Sequence, residues 1–97
     1  MFYIAKAQDR SGTGAKRAEF HPKHAAHLDR AIDNPRVVVS GPLLDQGDAP
    51  EGSFFIFEAT SLKVVQDFLG QDPFAQEGIW ASHEAQAFDW RRGKPAP

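Results

Sequence analysis

The sequence predicts an α+β domain of order β-α-β-β-α-β, and three observations point to it. Four extended stretches are interrupted by two helical ones. The first and third extended stretches carry apolar residues on both sides, which suits strands covered on both faces. Each helical stretch carries a single apolar stripe, so each has one side to bury. Right-handed crossovers then set both helices on one face of a four-stranded antiparallel sheet, the ferredoxin-like arrangement.

Phe2 to Gln8 reads as the first strand, with Phe2 and Ile4 on one side and Tyr3, Ala5 and Ala7 on the other. Asp9 to Gly14 is polar, contains glycines and reads as a loop. The first helix is expected from about Pro22 to Asn34, because proline suits the first helical position; His21 is then the expected cap. Leu28 and Ile32 share its apolar face, His24 stands at the rim of that face, and Asn34-Pro35 closes the helix. Arg36 to Leu44 is the second strand. Its valine run, Val37-Val38-Val39, favours extended backbone, and Ser40-Gly41-Pro42 interrupts it. Asp45 to Gly52 reads as a hairpin loop. Ser53 to Ala59 is the third strand, with Phe55 and Phe57 on one side and Phe54 and Ile56 on the other. Thr60-Ser61 caps a second helix from Leu62 to Leu69, which Gly70 is suited to stop. Ile79 to Trp90 alternates as the last strand, with Trp80 and Trp90 on one face, where dimer contact is the expected role. Residues 1–90 thus make one domain. The polar segment Arg91 to Pro97, with two prolines, is expected to be a disordered tail.

A chain of 97 residues supports one small domain. Its net charge of −2 leaves no electrostatic footprint for nucleic acid. With no cysteine, disulfides and thiolate metal sites are excluded. The first residues have no basic segment, their apolar run is too short for a signal peptide, and no stretch is long enough for a membrane span. A cytoplasmic protein with no nucleic-acid or membrane partner is expected. Phenylalanine on both sides of the third strand leaves an apolar patch on the sheet face that the helices do not cover. The expectation is a homodimer packed through those sheet faces.

The chemistry centres on Gln71-Asp72-Pro73-Phe74, at the exit of the second helix. Pro73 drives Asp72 out of the helical region and holds its carboxylate beside an aromatic ring. Asp before Pro also serves simply to stabilise a turn. The partner candidate is His24 in His21-Pro22-Lys23-His24. About three residues into its helix, His24 would feel the positive end of the helix dipole, which disfavours imidazolium and leaves a ring able to accept a proton. An Asp72 carboxylate within reach would fix the ring's tautomer, giving a dyad that could take a proton from a phenol or from a carbon α to a carbonyl. The plainer reading makes His24 a half-buried helix histidine with a backbone partner.

The remaining candidates each carry two readings. His21, His24 and His27 recur at a spacing of three, as metal-binding histidines can. With His21 read as a cap and no carboxylate at a ligand-like offset, no metal and no cofactor are expected. No glycine-flanked serine elbow supplies a nucleophile. Ser40, Gly41 and Pro42 form either a pocket wall, where glycine lets a ligand reach the backbone, or a bulge at a sheet edge. Phe74 either stacks on a flat substrate or plugs the core beneath the loop. Asp9 is either at the pocket mouth or an inert loop acid.

Taken together, Phe2-Tyr3-Ile4-Ala5-Lys6-Ala7-Gln8-Asp9, Pro22-Lys23-His24, Ser40-Gly41-Pro42 and Asp72-Pro73-Phe74 resemble, in order and spacing, the YCII-related family of small dimeric α+β barrel proteins. The resemblance runs from Phe2 to about Phe88; the Trp90-Arg91-Arg92 ending departs from it. It implies a ferredoxin-like subunit, a dimer, and a pocket whose His-Asp pair falls on His24 and Asp72. Some relatives look like enzymes acting on chlorinated aromatic diols, and muconolactone isomerases share the broader fold. The expected function is cofactor-independent proton transfer on a small cyclic or aromatic substrate, as an isomerase or a lyase of dehalogenase type. The competing expectation is a non-catalytic dimeric module that binds a small ligand or a partner protein, and oxygenase-like chemistry is a third.

Overall fold

Strand β1 (Phe2–Asp9) runs through the interior of a four-stranded antiparallel sheet in the computed structural model, which describes residues 1–95. The elements follow as α1 (Gly14–Leu28), β2 (Arg36–Leu44), β3 (Pro50–Glu58), α2 (Leu62–Gly70), α3 (Pro73–Gln76) and β4 (Trp80–Phe88). The sheet order is β2-β3-β1-β4, with β1 antiparallel to both β3 and β4. This is the expected ferredoxin-like topology. No helix among the described residues is long and apolar enough to cross a membrane.

The side-chain period of two sorts the sheet into two faces. Tyr3, Ala5 and Ala7 pair with Phe57, Phe55 and Ser53, and all six are buried on the helix side. Val65 and Leu69 of α2, Phe74 of α3, Ile79 and Trp80 complete that core. Burying each of these large side chains contributes about 1.5–3 kcal/mol. The small alanines of β1 leave room beneath the helices for the rings of Phe55 and Phe57, whose centroids are 5.3 Å apart. On the open face Phe2, Ile4, Phe54 and Phe88 are half-buried, and Ile56 is buried.

The first helix departs most from expectation. It starts at Gly14 and ends at Leu28, with Pro22 inside it. The segment before Pro22, Ala15-Lys16-Arg17-Ala18-Glu19, is rich in strong helix formers, and that preference outweighs the one hydrogen bond the proline removes. His21 is therefore a helix-interior residue, not a cap; the cap position belongs to Thr13. Ile32 lies beyond the helix and is 76% exposed, so it is not part of a buried stripe. Downstream, Ser61 caps α2 by accepting from the Val64 N–H, as expected.

Trp80 is the second departure. A register shift in β4 pairs Gln8 with Ser82 but Asp9 with Trp80, so Ala81 is an extra residue. The bulge turns Trp80 to the helix side, where it is 4% exposed and edge-on to Phe55 and Phe74. It is core rather than dimer contact. Trp90 lies past the end of β4, with its ring 5.4 Å from that of Phe2. Of the segment from Arg91 onward, residues 91–95 carry no helix or strand, and 96 and 97 lie outside the described residues.

Candidate functional site

Asp72 is the N-cap of α3, in extended backbone (φ −62°, ψ 134°), with Pro73 in the first turn behind it. Its Oδ1 accepts from the Phe74 backbone N–H at 2.9 Å. The same carboxylate lies 2.8 and 2.9 Å from Nδ1 of His24, and Asp72 has no solvent exposure. The turn role and the pairing with His24 are thus both present in one side chain. A carboxylate only accepts, so in the neutral ring the proton belongs on Nδ1 and the lone pair on Nε2. Among the described residues, no hydrogen bond engages Nε2.

Phe74, from the same four-residue helix as its capping Asp72, stacks on the imidazole at 4.1 Å and 4°. One short segment therefore sets both the plane of the ring and its rotation within that plane. Phe74 is itself wholly buried, in the plugging position. His24 sits in the C-terminal half of α1. The field of a helix N-terminus, expected from a start at Pro22, does not act on it.

A cavity of about 450 Å³ opens beside this pair, a size suited to one small organic molecule. His24, Leu28, Phe55 and Ser53 line it from the sheet-and-helix side, and Ser40, Gly41 and Pro42 line it from β2. These β2 residues follow a bulge between Val37 and Val39, in regular register, with Ser40 paired to Phe55 and Pro42 to Ser53. The stretch lines the cavity, and it is not itself a bulge: the irregularities of β2 fall on either side of it, between Val37 and Val39 and between Leu43 and Leu44. A Cβ on Gly41 would meet nothing within 4 Å, so the protein itself does not require glycine there.

Arg17 escaped the sequence reading. It lines the cavity one face-repeat before His24 on α1, and is 7% exposed. One terminal nitrogen reaches both oxygens of Asp9, at 2.7 and 2.8 Å; the other donates to the Gly52 carbonyl at 3.1 Å and to Ser53 Oγ at 3.2 Å. Its guanidinium carbon lies 4.8 Å from the centroid of Phe74. Asp9 accordingly holds an arginine instead of facing the cavity. Ser53, the other missed residue, left one signal: a polar side chain pointing inward on an otherwise aromatic strand.

The histidines do not converge. His21 is exposed, His24 is bound to Asp72, and His27 Nε2 lies 2.8 Å from the Phe68 carbonyl oxygen. Among the described residues, no group of three or more His, Asp or Glu is placed to hold a metal ion.

The fold and the cavity define a class: an α+β subunit of the ferredoxin-like type found in dimeric α+β barrel proteins. Within that class, the chain belongs to the YCII-related domain family, whose pattern matches residues 1–90. It is 30% identical over 94 residues to protein YciI of Escherichia coli, covering 91% of this chain and 96% of that one. It is 30% identical over 87 residues to an uncharacterised protein of Haemophilus influenzae, covering 84% and 89%. Among solved structures it is similar to the 5-chloro-2-hydroxyhydroquinone dehydrochlorinase TftG of Burkholderia phenoliruptrix, in complex with 2,5-dihydroxybenzoquinone. That match has a TM-score of 0.85 and 27% identity, covering 98% of this chain and all of that one. The cofactor-independent oxygenase SnoaB of Streptomyces nogalater shares the fold, with a TM-score of 0.55 at 14% identity and 96% coverage of both chains.

Proposed function

We propose that the chain is a small cofactor-independent enzyme in which His24 is the general base and Asp72 its orienting acid. The observation that carries this reading is the buried Nδ1–carboxylate bond of 2.8 Å, with the opposite ring nitrogen unengaged beside a cavity. Nε2 takes a proton from carbon or oxygen of a small cyclic or aromatic substrate, and the Asp72 carboxylate stabilises the imidazolium that results. Returning that proton elsewhere on the ring is isomerisation; departure of chloride with the carbon–chlorine electron pair is elimination. The similarity to a dehydrochlorinase favours elimination and makes a chlorinated trihydroxybenzene the first compound to offer. Ser40, Gly41 and Pro42 form the substrate wall, Phe74 backs the base, and Asp9 supports the site through Arg17. Two subunits pack through their open sheet faces, a reading supported by the half-buried aromatic residues there.

Chloride release tests the chemistry. His24→Ala is expected to lower kcat by about 10²–10⁴, the usual contribution of a positioned base. Asp72→Asn is expected to lower kcat by a smaller factor. Undiminished turnover in both variants would remove the dyad.

A further inference from the structure

The cavity holds a second polar group whose chemistry complements a base. Ser53 is 2% exposed, lines the cavity, and faces the helix side of β3 two residues before Phe55. Its Oγ accepts from Arg17, so its own O–H must point away from the guanidinium. Among the described residues, no acceptor takes that hydrogen. The arginine that polarises it is held by three acceptors, the two oxygens of Asp9 and the Gly52 carbonyl. A buried guanidinium fixed in this way, donating to a hydroxyl, makes that hydroxyl a stronger donor.

The spacing matters as much as the polarity. The Arg17 guanidinium and the His24 imidazole both lie against the Phe74 ring, at 4.8 and 4.1 Å from its centroid. They are thus no farther apart than those two distances combined, and Ser53 Oγ is one hydrogen bond from the guanidinium. Base and donor line one and the same cavity, together with the apolar side chains of Leu28, Pro42 and Phe55.

We infer that the Ser53 hydroxyl is an oxyanion donor, with Arg17 and Asp9 as its positioning residues, and that the site selects ring compounds carrying an oxygen that becomes anionic: phenols, enols and enolisable ring ketones. The inference rests on the acid/base reading of His24 for its catalytic meaning. As Nε2 removes a proton, the electron pair left behind moves through the conjugated ring to the distant oxygen. Ser53 donates a hydrogen bond to that oxygen and keeps its own proton. Placed where charge develops, such a donor favours the ionised ring over the neutral one.

The test uses the whole chain and 4-nitrophenol, whose ionised form is coloured. Saturable binding is expected, with the bound phenol ionising at lower pH than the free compound. Ser53→Ala is expected to weaken the ionisation of the bound phenol about tenfold, one pH unit, with the unfolding midpoint little changed. Ser53→Thr, which keeps a hydroxyl, should retain the shift. Arg17→Lys, which cannot span Asp9 and Ser53 together, should lose most of it. His24→Gln separates the two readings: a Ser53-dependent shift that persists there supports the donor even if turnover assays eliminate the dyad. No saturable binding, or an unchanged ionisation in Ser53→Ala, overturns the inference.

Discussion

Oδ1 of Asp72 accepts from the Phe74 amide and lies within hydrogen-bond distance of the His24 ring, in a position closed to water. Removing the carboxylate strands two buried donors at once. Asp72→Ala is therefore expected to cost about 3 kcal/mol in urea unfolding, more than a cap alone would. Asp72→Asn, which keeps an oxygen for the Phe74 amide, should cost less. A loss under 1 kcal/mol for the alanine variant would mean that the buried bonds contribute little net stability. At this scale the sequence was informative where chemistry is local. Proline fixes its preceding residue, so Asp72-Pro73-Phe74 could be placed without knowing the rest of the fold. Arg17 and Ser53 could not, because what gives them meaning is each other, far apart along the chain and joined only by packing.

At the scale of elements, the strands and α2 were readable because alternation, a serine cap and a valine run are local signals. The first helix was misread because Pro22 has two legitimate places, and only the helix-forming run before it decides between them. The β4 bulge was invisible: one extra residue leaves alternation intact on both sides of it while exchanging the faces, and so Trp80 changed layers. Close packing between β1 and β3 gives a further test. A Cβ on Gly52 would fall inside contact distance of the Ala7 carbonyl oxygen, in the interior of the sheet. Gly52→Ala is expected to destabilise by about 2–3 kcal/mol, seen as a lowered urea midpoint. The same change displaces the carbonyl that anchors Arg17, so the ionisation shift of a bound phenol should shrink with it. A variant as stable as the parent would show that the two strands can part there without penalty.

For the whole molecule, the open sheet face is the feature left unpaired. Phe2, Ile4, Phe54 and Phe88 form an apolar field on it, with Lys6 and Glu84 among their neighbours. Sedimentation at micromolar concentration is expected to give twice the chain mass of 10.7 kDa. Phe54→Asp, placing a charge in that field, is expected to give single chains that remain folded. A wild-type protein that sediments as a single chain would dispose of the paired assembly. The sequence pointed to this surface through the phenylalanines on both sides of β3, since a strand's two faces are written in its odd and even positions.

His24 and Asp72 stand 48 residues apart, on either side of the turn that joins β2 to β3. His24 comes with the first half of the chain; Asp72, the stacking ring of Phe74 and Ser53 come with the second. Neither half holds the pair alone, so the proposed chemistry would require both halves of the chain to be packed together.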